Sequence, residues 1–337
     1  MKSLRTLSSP RRRRTLAWLA AGAALPALPA LAPAQGPQGR YPERPIQILV
    51  PFAPGGIADI TARAVAEVMG QRLGQAVVVD NRPSAGSIVA SQAAAAAKPD
   101  GYTLLLMSNA NAVSVGLFKK LPYDTQKDFA GISTLGYFDL GVFVPSGSRF
   151  GSLKDVVAFA KANRGKLNVG TIAVGSTQHL AAKLFETVAG LDVLLVPYKG
   201  SPAVLTALRS GETDIAFEMV GPMLPQVRAG VVKALAVSSD RRNPALPDVP
   251  TAIESGVGGY NVASWNALAA PAGTPPEVIA LLNRTVREAV ASPAVKDKLG
   301  QLGMRVAAST PAELERLLAG EIKRWGEVIR AANLEPE

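Results

Sequence analysis

Short apolar runs alternate with longer stretches in which apolar residues recur every three or four positions, and this alternation limits the chain to an α/β fold. Ile46–Pro51 is a buried-strand run, and Pro54-Gly55-Gly56 breaks it. Ile57, Ile60, Ala64, Val68 and Leu73 then keep helical spacing up to Gly74. Ala76–Val79 is the next strand, Ile88–Ala97 an alanine-rich helix closed by Lys98-Pro99, and Tyr102–Met107 a third strand. A β-α-β-α-β order requires a parallel sheet with crossover helices. The pattern resumes with helices at Leu153–Asn163, Thr177–Ala189 and Pro202–Ser210. Strands follow at Leu167–Ile172, Val193–Pro197, Asp214–Phe217 and Val232–Ser238. Pro275–Ala291 and Pro311–Ala331 read as long helices, and no fixed repeat points to a solenoid.

Composition supports a packed domain: 48% of the 337 residues are hydrophobic and 18% charged, the reverse of a disordered chain. The absence of cysteine excludes disulfides, thiolate metal sites, a cysteine nucleophile and a lipidated anchor. The single histidine, His179, excludes multi-histidine metal centres. Six bases and no acid fall in the first 34 residues; without them 30 bases face 26 acids, so the net +10 gives little support to nucleic-acid binding.

That N-terminal stretch reads as an export signal. Arg11–Arg14 form a basic region, Leu16–Leu25 a short apolar one, and Ala32-Pro33-Ala34 a small-x-small cleavage site before Gln35. Arg13-Arg14-Thr15-Leu16 also fits a twin-arginine signal, with the general secretory route as the alternative. The mature protein is therefore expected in the periplasm.

Two apolar, extended stretches, Gly136–Pro145 and Ser264–Pro271, read as crossings between two lobes. The lobes would be residues 42–138 plus 267–337, and residues 139–266, with a ligand cleft between them that closes by hinge motion. One continuous doubly wound sheet is the competing arrangement.

No nucleophile elbow, zincin, P-loop or dinucleotide fingerprint occurs. A Ser176–His179 pair at the start of one helix could form a nucleophile and base, but residues so close in one turn rarely align that way. The repeated feature is instead a strand, a loop of small residues and a helix start. Pro51–Gly56 leads into the helix carrying Asp59, Ala173–Thr177 into the helix carrying His179, and Tyr198–Ser201 into a helix with Ser201 as N-cap and Pro202 as first residue. Each offers free N–H groups at the positive end of a helix dipole, able to hold a carboxylate without a cationic side chain. In open α/β sheets such loops gather at the carboxyl ends of the strands, where ligands bind. Asp59, in a first helical turn, reads primarily as a cap favouring the dipole. Glu218, just after a strand, reads either as a cleft residue or as a hydrogen-bonded loop acid.

At these residues the chain resembles the Bug-type (TctC-like) extracytoplasmic solute receptors of tripartite tricarboxylate transporters. The matching segments are "PIQILVPFAPGGIADITAR" ending at Arg63, "LGQAVVVDNRPSAGS" (Leu73–Ser87), "KPDGYTLLL" (Lys98–Leu106), "LPYDTQKDF" (Leu121–Phe129), "GSTQHLAAKLF" (Gly175–Phe185), "VPYKGSPA" (Val196–Ala203), "KALAVSSDRRNPALPDVPTAIESG" (Lys233–Gly256) and "APAGTPPEVIALLN" (Ala270–Asn283). The resemblance implies a two-lobed type II periplasmic binding protein. Such a protein captures a small carboxylated solute in its interlobe cleft and delivers it to membrane permease subunits. It implies no catalysis, no cofactor, no metal and no nucleic-acid partner, and a monomer.

It also implies a ligand site drawn from Phe52, Pro54, Gly55, Gly56, Ile57, Ala58 and Asp59 on one side and from Gly175, Ser176, Thr177 and His179 on the other, joined by Ser108, Asn109 and Glu218. Where the family often has glycine, this chain has Ser84, which puts a left-handed turn at that position in doubt. The rival functions are an enzyme acting on small carboxylates through His179 or Asp59, and a ligand-sensing co-receptor for a membrane kinase.

Overall fold

The structure, a computed structural model, describes residues 41–172, 176–331 and 334–336. The export signal expected at residues 1–34 lies outside them.

The first three strands, β1 (Ile46–Val50), β2 (Val77–Asn81) and β3 (Thr103–Ser108), are parallel and joined by helices α1 (Ile57–Leu73) and α2 (Ile88–Ala95). Gly74 closes α1 in the left-handed conformation, its N–H donating to the Gly70 carbonyl. A helix α3 (Asn109–Leu117) follows, then the long strand β4 (Phe129–Pro145) and helix α4 (Leu153–Ala162). Next come β5 (Asn168–Ile172), α5 (Thr177–Ala189), β6 (Leu194–Tyr198), α6 (Ser201–Ser210), β7 (Ile215–Met219), α7 (Val220–Arg228) and β8 (Val232–Val237). The chain closes with β9 (Ala263–Pro271), α8 (Pro276–Ala291), α9 (Pro293–Gly300), β10 (Met304–Val306) and α10 (Pro311–Ala331).

The strands run in the order β2-β1-β3-β9-β4-β7-β5-β6, with β10 and β8 also paired to β4. β4 therefore belongs to two sheets. Its first part lies antiparallel to β9, from Phe129 opposite Pro271 to Asp139 opposite Ala263, and its second part pairs with β7 and β8 from Leu140 to Pro145. The register of β4 against β9 shifts twice, between Gly131 and Ser133 and between Thr134 and Gly136, which bends the strand before it reaches the part paired with β7 and β8. The sheet is continuous through β4 and curled about it, giving the two-lobed form.

Both faces of the first sheet are covered. Ile46, Ile48, Val50, Leu104 and Leu106 pack with Val65, Met69, Leu282 and Val286 of α1 and α8. Alternate residues Leu49, Leu105 and Met107 face a second cluster with Val113 of α3 and Trp325 and Ile329 of α10. This is why β1 and β3 read as continuous apolar runs rather than alternating ones. Each such fully buried aliphatic side chain is worth about 1.5–3 kcal/mol of transfer free energy.

Several elements differ from the sequence expectations. The first crossing, expected at Gly136–Pro145, is a strand that begins seven residues earlier, at Phe129. α3, α7, α9 and β10 were not anticipated. α6 starts at Ser201 rather than Pro202, with Gly200 as N-cap. The Ala203 and Val204 N–H groups both reach the Gly200 carbonyl, and Pro202 occupies a position where a missing N–H costs nothing. Ser84 is extended, and the left-handed residues of its turn are Gly86 (φ 60°) and Ser87 (φ 62°).

Candidate functional site

Five helices start around one cavity of about 310 Å³. Gly56, Ile57 and Ala58 come from the start of α1, Ser108 and Ala110 from α3, and Ser176, Thr177 and Gln178 from α5. Ser201 begins α6, and Met219 and Pro222 flank the start of α7. Phe52, Phe138 and Ile172 supply apolar wall, and Ser264 and Asn266 of β9 complete the lining. The topology dictates this gathering, because β1, β3, β5, β6 and β7 each deliver a helix at their carboxyl end. Among the described residues that line the cavity, none carries a charged side chain. Attraction for an anion must come from main-chain N–H groups and hydroxyls. Two larger depressions, of about 620 and 430 Å³, lie against α10 with charged residues such as Lys119, Asp124, Glu315 and Arg316 on their walls. The first receives no helix start, and the second only that of α10, through Ala312.

The N-terminus of α1 has no side-chain cap: Gly56 is the N-cap, and Gly55 before it takes the left-handed conformation at φ 81°. Asp59 holds this loop from beneath. Its carboxylate accepts the Gly55 N–H at 2.9 Å, the Arg63 Nε at 2.9 Å and the Asn81 Nδ2 at 2.9 Å. Asn81 Nδ2 also donates to the Phe52 carbonyl at 3.0 Å, and Arg63 Nη2 to Asn81 Oδ1 at 3.0 Å. Burial would raise the Asp59 pKa, but Arg63, the Gly55 N–H and Asn81 outweigh it and hold the carboxyl below its usual range. Asp59 is thus committed to the protein, with 3% exposure.

α5 is capped by Ser176, whose Oγ accepts the His179 N–H at 3.1 Å and donates to the Ile172 carbonyl at 3.2 Å. Ser176→Ala removes that cap and is expected to destabilise the protein by about 1 kcal/mol. Chemical denaturation would check this, as a shift in midpoint without a change in slope. α3 is closed by a reciprocal pair: Ser108 Oγ accepts the Ala110 N–H at 3.2 Å and Asn111 Oδ1 accepts the Ser108 N–H at 2.9 Å. Asn109 ties three helices together. Its Nδ2 donates to Thr177 Oγ1 of α5 at 3.2 Å, and its Oδ1 accepts the Trp325 indole N–H of α10 at 2.7 Å.

His179 sits behind the site, 5% exposed, its Nδ1 at 3.4 Å from Thr171 Oγ1. Burial, with Lys183 nearby, depresses its pKa and keeps it neutral. Glu218 is fully buried. Its Oε1 accepts Gln178 Nε2 at 2.7 Å and the Met219 N–H at 2.8 Å, and burial raises its pKa. A raised folded-state pKa means that the folded protein holds the proton more tightly than the unfolded chain. The associated stability is present below the unfolded value of about 4.5 and is lost as pH rises through the folded value. Glu218→Gln is therefore expected to flatten the stability-against-pH curve above about pH 4.5. Urea midpoints at a series of pH values measure it, and an unchanged slope would refute it.

Of the residues expected at the site from sequence, the cavity wall contains Phe52, Gly56, Ile57, Ala58, Ser108, Ser176 and Thr177. Pro54, Gly55, Asp59, Asn109, His179 and Glu218 stand outside that wall, several of them bonded to residues within it. Gly175 lies outside the described residues. Sequence reasoning missed the rest of the wall, including the polar residues Gln178, Ser201, Ser264 and Asn266. Gln178 occupies one of the two positions that the G-S-x-x-H segment leaves unspecified. Ser264 and Asn266 lie in a strand read only as a crossing, where their two-residue spacing was the available signal of a shared face. Among the described residues no arginine lines the cavity: Arg63 serves Asp59, and Arg82 pairs with Asp80 at 2.9 Å.

A two-lobed α/β fold with helix starts converging on an uncharged cleft defines a solute-binding receptor of the periplasmic binding protein class. The chain belongs to the family described as the tripartite tricarboxylate transporter family receptor, which matches residues 61–334. That is a family of solute receptors rather than enzymes. The chain is similar to the periplasmic binding protein BugD, at 31% identity and TM-score 0.77 over 88% of this chain and all of that one. It is also similar to R. palustris Rpa4515 with adipate, at 32% identity and TM-score 0.79, covering 88% and 100% of the two chains. MatC from Rhodopseudomonas palustris, with bound malate, matches at 32% identity and TM-score 0.74 over 86% and 100%. Among the described residues no helix is long and apolar enough to cross a membrane.

Proposed function

We propose that the protein is a periplasmic receptor that captures a small carboxylated solute and hands it to the membrane permease of a tripartite tricarboxylate transporter. The observation that carries this reading is the meeting of five helix N-termini at a cavity without charged side chains. Such a site suits an anion held by main-chain N–H groups. The adipate and malate in two similar structures support a carboxylate. The lobes are residues 42–138 plus 267–337, and 139–266, with β4 and β9 as the crossings. The receptor acts as a monomer and reaches the periplasm through the N-terminal signal. Solute bridging the two lobes stabilises their closed arrangement.

Thermal unfolding of the mature protein, screened against mono-, di- and tricarboxylates, tests the reading. A saturating cognate acid present at about 100 times its Kd adds about 2.7 kcal/mol, which appears as a clear rise in Tm. Failure of every carboxylate to stabilise the protein would overturn it.

A further inference from the structure

We infer that the solute carries a hydrogen-bond donor, a hydroxyl or an ammonium, in addition to its carboxylate, and that Gln178 and Asn266 select it with their side-chain carbonyl oxygens. The inference rests on the carboxylate-receptor reading above and narrows its solute class.

A side-chain amide is ambiguous until its partners fix which end is which. Both amides at this cavity are fixed. Gln178 Nε2 donates to Glu218 Oε1 at 2.7 Å, and the same oxygen accepts the Met219 N–H at 2.8 Å. Oε1 therefore acts as an acceptor towards both groups, and turning the amide over would set oxygen against oxygen. Asn266 Nδ2 donates to the Trp265 carbonyl at 3.1 Å, an atom that can only accept. In each case the N–H end is used by the protein and, among the described residues, the carbonyl end is not. Asn266 Oδ1 is buried without a hydrogen-bond partner, and among the described residues the Gln178 amide bonds only through Nε2. Both residues line the cavity, and each is 4% exposed. Behind Gln178, Glu218 Oε2 is a further buried oxygen without a partner.

The wall thus combines two kinds of group. Helix-start N–H groups and hydroxyls are donors for a carboxylate. The two amide oxygens are acceptors that a carboxylate cannot satisfy, because an ionised carboxylate has no proton to give. A plain dicarboxylate would need a bridging water at these oxygens. A hydroxy or amino acid supplies the proton directly. Sites built to bond a particular solute O–H or N–H reject the analogue that lacks it, because their own buried groups are then left unpaired.

Titration calorimetry on the mature protein tests this with three matched series: succinate, malate and aspartate; glutarate, 2-hydroxyglutarate and glutamate; adipate, 2-hydroxyadipate and 2-aminoadipate. In the series that binds best, the donor-bearing acid is expected to bind at least tenfold tighter than its plain parent. Whether the hydroxy or the amino member leads tells the two donors apart. Gln178→Met and Asn266→Leu keep side-chain size and remove the acceptor, and each is expected to reduce the ratio to below threefold. Equal or tighter binding of the plain acid overturns the inference while leaving the carboxylate reading intact. So does a ratio that survives in both variants. If none of the nine acids binds, the inference is overturned, while the receptor reading stands or falls on the wider carboxylate screen.

Discussion

Asp59→Ala is expected to abolish measurable solute binding although Asp59 is absent from the cavity wall. The substitution strips the acceptor from the Gly55 N–H, from Asn81 Nδ2 and from the Arg63 guanidinium at once. Hydrogen bonds to a charged group are worth about 1.5–3 kcal/mol each, and Arg63 is half exposed, so water recovers part of its share. A net destabilisation of about 2–3 kcal/mol is expected, together with release of the Gly55–Gly56 loop from its bound form. The uncapped N–H groups of α1 are presented by that loop, and a misplacement of about 1 Å suffices to lose a preorganised contact. Asp59→Asn keeps one acceptor oxygen and should be intermediate in both properties. Calorimetry on variants shown by circular dichroism to be folded decides the matter. Binding by Asp59→Ala within threefold of wild type would show that the loop needs no support from below.

Gly221→Val is expected to weaken binding at least a hundredfold, about 2.7 kcal/mol, by a different route. Gly221 is the second residue of α7, and a side chain there would run into the Leu302 carbonyl just before β10, with Ile57 Cδ1 at 3.3 Å. α7 follows a strand of the second sheet, whereas Leu302 and Ile57 belong to segments around the first. The contact therefore joins an element of the second sheet to segments around the first, next to Ile57 and Pro222 of the cavity wall. Separating them relieves the clash, so the variant should remain folded but open. Its radius of gyration should exceed that of the wild type and should not shrink with solute. A variant that binds normally and still compacts would mean that the helix can shift without opening the cleft.

How much of this was visible in the sequence depended on whether a signal was local. The starts of α1 and α5 were readable because glycine, serine and proline stand where apolar periodicity changes from strand to helix. α7 was not, because Pro222 and Pro225 read as breakers. Pro222 falls in the first turn, where no N–H is required, and Pro225 is tolerated in a helix of nine residues. α3 was hidden in a run of small residues, although Ser108 and Asn111 spelled out its capping pair. The first half of β4 carries Gly131, Ser133 and Thr134, which interrupt any apolar pattern, and becomes a strand through pairing with β9, more than a hundred residues away in the chain. In the site, the main-chain donors were inferred from helix starts alone. The second half of its polarity, the amide oxygens of Gln178 and Asn266, depends on which end of each amide the protein uses. That is decided by Glu218, Met219 and Trp265 and by nothing in the local sequence.

The sharing of β4 also sets an order of assembly. The sheet of β5 to β8 draws its strands from an unbroken segment and pairs with the second half of β4 within about a hundred residues. The other sheet stays incomplete until β9 and β10 arrive, when Leu105 meets Ala269 and Phe138 meets Met304. Loops of that length are costly to close before their contacts form, and such pairings slow folding. During synthesis the first hundred described residues therefore leave the β9-facing edge of β3 and the leading half of β4 unpaired. They stay so until most of the polypeptide has been made, which leaves time for a chaperone to act on an unfinished sheet.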